Sequence, residues 1–152
     1  MSLCVNTVFV ARIIKIIVLH VFSVFQTSLT CKAGWHFFCN SCYTIVRTTT
    51  SWYAARDHCA SVGEHQTAIT SARENDFLAQ LMGNISNVWI GAHGSGSSFK
   101  WDGGDPWSFL AFRSNWSAPY SNSCVELFNS GFWQTYTCEF KFWFMCEVKV
   151  NM

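Results

Sequence analysis

Charge is scarce in this sequence. Lys, Arg, Asp and Glu make up 12% of 152 residues, ten basic against nine acidic. Without Arg12 and Lys15, eight basic residues face nine acidic ones. That balance gives no electrostatic reason to expect nucleic acid or an anionic membrane as partner. Long apolar runs are also missing: beyond residues 16–25, no segment approaches the roughly 20 apolar residues of a membrane-crossing helix. Proline occurs only as Pro106 and Pro119, and there is no internal repeat. Catalytic signatures are absent as well, since no Gly-x-Ser-x-Gly elbow exists and residues 91–96 lack the lysine of a phosphate loop. His36, His58, His65 and His93 supply no second ligand pair at zinc spacing. The chain reads as no enzyme.

At the N-terminus, Arg12 precedes an apolar run over residues 16–25, and small polar residues follow up to Thr30. Residues 1–28 read as a secretory signal peptide, because Arg12, Lys15 and His20 leave too short a run for the rival signal anchor. The expected protein is therefore secreted and extracellular, with one domain over residues 29–152 and no membrane association beyond the signal. Eight cysteines in an exported chain imply a disulfide framework. Cys4 leaves with the signal, so seven remain. An aromatic content of 17% is enough for a dense core in a small domain.

The stretch from Cys124 to Cys146 organises the rest. Val125-Glu126-Leu127-Phe128 reads as a strand, Asn129-Ser130-Gly131 as a turn, and Phe132 to Thr137 as the returning strand. Cys124 and Cys138 end that hairpin, where pairing would bring them face to face as a disulfide. Cys146, in the last apolar run, needs a distant partner. Upstream, Tyr43-Thr44-Ile45-Val46 reads as a strand. Ser51 then caps a helix in which Trp52, Ala55, Cys59 and Val62 recur on one face, and Gly63 ends it. Ser71 and Glu74 have the spacing of a reciprocal capping box, followed by a stripe of Phe77, Leu78, Leu81 and Met82. Asn84-Ile85-Ser86 is a glycosylation sequon just past that helix. Val88 to Ala92 reads as a buried strand, Gly94 to Ser98 as a hairpin loop, and Phe99-Lys100-Trp101 as its return. Residues 102–123 lose all period, and a loop of that length in a small domain is usually functional.

These residues in this order resemble a family. Cys31, Gly34-Trp35, Ser41-Cys42-Tyr43, Trp52-x-x-Ala55-x-x-x-Cys59, Ile69-x-Ser71-x-x-Glu74-x-x-Phe77-Leu78, Trp89-Ile90-Gly91, Asn115-Trp116, Cys124-Val125-Glu126-Leu127, Trp133, Cys138 and Cys146-Glu147 are similar to the long-form C-type lectin-like domain. The likeness covers residues 31–148. It implies an α+β fold of two helices, two small antiparallel sheets and a long irregular loop. It also implies disulfides Cys31–Cys42, Cys59–Cys146 and Cys124–Cys138, of which spacing alone supports only the last. Cys39 is then left over: a buried thiol, a competitor of Cys42 for Cys31, or a link to a second chain as a disulfide-linked dimer. Cys39-Asn40-Ser41-Cys42 has redox-motif spacing, but it runs into strand formers where a redox pair would open a helix.

Sugar-binding relatives hold calcium through acids in the long loop, ahead of the third framework cysteine, and after the hairpin tryptophan. Calcium wants six to eight oxygens with formal negative charge among them. Here Ala118-Pro119-Tyr120 stands nearest the loop triplet, Asn122 and Ser123 precede Cys124, and Gln134-Thr135 follows Trp133. Neutral ligands alone predict no calcium at the usual sugar site, and no other cofactor is expected. Asp102 and Asp105 form the only acidic pair in the loop and read as a glycine turn with solvated carboxylates. Trp107, Phe109, Phe112, Trp116 and Tyr120 could stack on sugar faces or anchor a protein partner, but Phe112 and Trp116 match core positions of the family. Trp107 and Tyr120 are the exposed candidates for ligand contact, together with Asn122 and Gln134. Asn115 is formally a second sequon, poorly placed beside a buried Trp116. The sequence thus predicts a calcium-independent recognition module for an extracellular glycan or protein ligand. The alternative is a structural protein assembled covalently through Cys39.

Overall fold

A computed structural model describes residues 31–63, 65–114 and 122–150. The signal segment with Cys4, and Asn115, Trp116, Pro119 and Tyr120 in the long loop, lie outside these residues. In chain order the elements are β1 (His36–Phe38), β2 (Ser41–Thr50), α1 (Trp52–Val62), β3 (His65–Gln66) and α2 (Ala72–Met82). There follow β4 (Asn87–Ser95), β5 (Ser98–Trp101), β6 (Ser123–Phe128), β7 (Trp133–Thr137) and β8 (Phe142–Lys149).

The strands run in the order β1-β2-β8-β4-β6-β7, with β3 on β8 and β5 on β4. β1, β2, β3 and β8 pair antiparallel, as do β4 with β5 and β6, and β6 with β7. One parallel pairing, Trp89 with Phe144, joins the two antiparallel groups into a mixed sheet. That seam lies beneath α1, where Trp52, Ala55 and Cys59 are buried against Trp89 and Phe144. Ser51 caps α1 by accepting from the Ala54 amide at 3.4 Å. Val62, expected on the buried face, is 40% exposed. At that last turn the backbone itself meets the sheet: a Cβ on Gly63 would lie 2.7 Å from Val148 Cγ2.

α2 begins as its sequence predicts, with the Glu74 amide donating to Ser71 Oγ at 3.2 Å. The reciprocal half of the capping box is not formed. Glu74 Oε2 accepts instead from the amide and hydroxyl of Thr70, at 2.8 and 3.1 Å. Its Oε1 accepts from the Tyr43 hydroxyl at 2.5 Å, so the helix cap doubles as an anchor for β2. Burial, with Glu147 and Glu74 close by, pushes the Tyr43 hydroxyl far up and keeps it a neutral donor.

Three disulfides pin these layers: Cys31–Cys42, Cys59–Cys146 and Cys124–Cys138, with Cα separations of 5.6, 5.3 and 5.0 Å. Cys39 is disulfide-bonded too, and no cysteine among the described residues is free. This corrects the expectation of a free thiol at Cys39. Cys42 holds Cys31 alone, while Cys39, in the turn between β1 and β2, takes a separate bond.

Glu147 on β8 is a second buried carboxyl, accepting from Ser41 Oγ at 2.7 Å and from the Ala68 amide at 3.1 Å. Burial outweighs these bonds and the pull of His65, and lifts its pKa from 4.5 to about 7. A carboxyl whose pKa is raised by folding favours the native state below its unfolded pKa. That contribution is lost as pH rises through the folded value. Thermal melts should therefore show a midpoint that falls between about pH 5 and pH 8, by the linkage of proton uptake to folding. Glu147→Gln does not titrate; its amide oxygen can accept from Ala68 while its NH2 donates to the Ser41 hydroxyl, reversing that bond, so its midpoint should fall less over that window. Parallel curves for the two proteins would contradict the assignment.

Candidate functional site

The long loop leaves the sheet at Trp101 and is fastened where it starts. The Asp102 amide donates to Gly91 O at 2.8 Å and the Gly104 amide to Trp101 O at 3.1 Å. Gly103 crosses the face of His65 so closely that a Cβ would lie 2.7 Å from the imidazole. This delivers Asp105 to an interior position, its side chain 11% exposed, with Lys149 Nζ bonded to Oδ1 and His65 Nε2 at 3.8 Å from Oδ2. The reading of both acids as solvated is corrected for one of them: Asp102 is exposed, whereas Asp105 is largely shielded and anchors the loop. Sequence reading missed this because the partners lie on β3 and β8, far along the chain. The glycine pair was the available signal of close backbone approach.

Residues 106–112 then lie along the sheet as a strap. The Trp133 amide donates to Ala111 O at 2.9 Å, and Phe112 bridges to Trp133. Trp107, expected as an exposed contact, is half-buried. Its ring centroid lies 5.0 Å from Trp101 and 6.0 Å from both Phe99 and Trp133. Phe109 and Phe112 lie 5.6 and 5.5 Å from Trp133 in edge-on contact. A large apolar ring next to three others gains more from mutual packing than from water. Leu110 is a large apolar residue facing out of the strap, 57% exposed, and Phe132 is 46% exposed beside the neighbouring turn. Arg113 sits over Phe128 and Phe132 at 5.6 and 5.7 Å, which adds a cation to this surface.

The other candidates lie just before β6 and on β7 and do not meet. Asn122 is exposed and donates from Nδ2 to the Tyr53 hydroxyl on α1 at 2.7 Å. Gln134 is half-buried in β7, in register with Glu126. Ser123 and Thr135 are buried at 0% and 5% exposure. The Glu126 carboxyl is pushed up by burial and accepts from Asn87 Nδ2, so its acceptor capacity is engaged within the fold. Where a calcium-binding relative would converge carboxylates, these positions offer two amides and two buried hydroxyls. Tyr120, the remaining candidate, lies outside the described residues.

Among known proteins, the Lectin C-type domain matches residues 48–148. A lectin of Pleurodeles waltl is 32% identical over 131 residues, covering 77% of this chain and 75% of that protein. Snaclec agglucetin subunit alpha-1 of Deinagkistrodon acutus is 32% identical over 129 residues, covering 77% of this chain and 81% of that one. The secretory phospholipase A2 receptor of Bos taurus is 32% identical over 129 residues, but this chain spans only 8% of its length. Human lithostathine superposes with a TM-score of 0.70 at 26% identity, covering 78% of this chain and 99% of the other. A calcium-independent type II antifreeze protein superposes at 0.73 with 20% identity, over 80% and 96% of the two chains, a likeness of fold alone. No helix among the described residues is long and apolar enough to cross a membrane.

Proposed function

Because the chain belongs to the C-type lectin family, we propose that it is an exported recognition module whose long-loop face binds an extracellular glycan or protein ligand without calcium. The observation that carries this reading is an intact disulfide framework around the uncharged set Asn122, Ser123, Gln134 and Thr135. Without carboxylates no ion is held tightly enough to bridge a sugar. Contact must then come from the side chains themselves. Leu110, Phe132 and Arg113 offer apolar area and a charge, and Asn122 and Gln134 offer amides for hydrogen bonds. Trp107 acts beneath this face, stiffening the strap that presents Leu110. Tyr120 remains a candidate contact. The chain carries no catalytic role in this reading.

The test is a glycan and protein-ligand binding screen with the full secreted chain, run in calcium and again in chelator. Ligands are expected to bind equally in both. Mannose or galactose binding that disappears in chelator would overturn the proposal.

A further inference from the structure

We propose that a groove remote from the long loop binds an acidic saccharide, one bearing sulfate or carboxylate groups. The groove has a volume of about 730 Å³ and lies between the end of α2, the second half of β2 and the start of β8. None of its lining residues belongs to the long loop, β6 or β7, so this site stands or falls independently of the function proposed above.

Two cations converge on it, Arg47 from β2 and Lys141 from just before β8. Both are exposed, and neither forms an ion pair among the described residues. In a chain with only ten basic residues, two unneutralised ones on a single cavity form a local positive site despite a near-zero total. Arg47 is held in place: its guanidinium lies 5.7 Å over the Trp143 ring, which reduces the freedom it must lose on meeting an anion. The wall between the cations is aromatic and amide-rich. Phe142 lines the groove, and Phe140, 49% exposed, continues that surface at 5.4 Å from Phe142. Asn84 and Ser86 present an amide and a hydroxyl on the rim. Ser86 also donates to Asn87 Oδ1 at 2.8 Å, and Asn87 donates in turn to the Glu126 carboxyl.

Cations alone would suit any anion. Flat rings beside hydroxyl and amide groups match a sugar, whose C–H face packs on rings while its hydroxyls take the polar partners. Sulfate or carboxylate substituents would then receive charge-assisted bonds from Arg47 and Lys141. Asn84 is also the first residue of a sequon, so any N-glycan attached there would begin on the groove's rim.

The experiment uses the full secreted chain carrying Asn84→Gln, so that no attached glycan covers the groove. Calorimetry measures binding of a heparin-derived sulfated tetrasaccharide, with its desulfated, N-acetylated counterpart as comparison. The sulfated probe should bind roughly tenfold or more tightly than the desulfated one, which keeps only its uronate carboxylates for charge-assisted bonds. Arg47→Ala and Lys141→Ala should each weaken it roughly tenfold or more on the same basis. Lys100→Ala removes the same charge from β5, away from the groove, and should leave affinity unchanged. Chelator should have no effect. No binding, or an equal loss in Lys100→Ala, would overturn the proposal. A phosphopeptide or an anionic phospholipid vesicle that binds as tightly and displaces the tetrasaccharide would also overturn it, because the site would then read charge alone.

Discussion

Replacing Cys59 and Cys146 together by alanine should lower the unfolding free energy by about 4–5 kcal/mol, more than the loss of either other bridge. The two residues are 87 positions apart, against 14 for Cys124–Cys138 and 11 for Cys31–Cys42. In the polymer account a cross-link removes loop-closure entropy from the unfolded chain. Closing about 90 residues is then worth roughly 4.6 kcal/mol, against roughly 3 kcal/mol for the two short loops. Both sulfurs are also wholly buried, among Trp52, Trp89 and Phe144, so alanine leaves small voids that add to the loss. A small domain has a net stability of only about 5–15 kcal/mol, so this variant should be near the edge of unfolding at body temperature. Guanidinium denaturation of the three paired alanine variants tests the ranking. A Cys124/Cys138 variant at least as unstable as the Cys59/Cys146 variant would show that loop entropy does not set the order.

The elements that could be read in advance are those whose signals are local. Ser51 and Ser71 announce their helices because a cap is satisfied within three residues, and Asn129-Ser130-Gly131 marks a turn between two strands that then pair in register. The resemblance supplied the long-range bridges that spacing could not. The polar contacts that cross between elements stayed hidden. Glu74 reaches Thr70 and Tyr43 because a strand residue 31 positions away offers a hydroxyl, and no helix rule contains that strand. Asn75 is a buried polar residue whose helix gives no local reason to bury it, because its partners Gly131 and Trp133 lie on the hairpin. Trp107 reads as a surface ring in sequence because the strap has no period of its own. Its burial is set by Trp101 and Trp133 rather than by its neighbours in sequence. The groove at Arg47 and Lys141 gave no signal either, since its two charges lie 94 residues apart.

Trp133→Ala should cost about 3–5 kcal/mol, the usual range for deleting a buried aromatic side chain, and should also free the strap. Trp133 is fully buried and touches every strap aromatic: Trp107, Phe109 and Phe112 all lie within 6.0 Å of its centroid, and Trp101 at 5.5 Å closes the cluster from β5. Its indole donates to Asn75 Oδ1 at 2.8 Å, so the same side chain joins α2 to the loop. Trp133→Phe separates the two roles, since it keeps a ring in the cluster but leaves Asn75 Oδ1 without its donor, at about 1–3 kcal/mol. Limited chymotrypsin digestion distinguishes them. In Trp133→Ala, cleavage at Leu110 and Phe112 should accelerate well beyond what the global stability loss explains, whereas Trp133→Phe should be cut at a rate that follows its stability alone. If the long-loop face is the recognition surface, ligand binding should be lost in Trp133→Ala at temperatures where the domain is still folded, and kept in Trp133→Phe. A Trp133→Ala protein that stays folded and still binds at full affinity would mean that the strap does not position the ligand contacts, and that recognition lies elsewhere on the molecule.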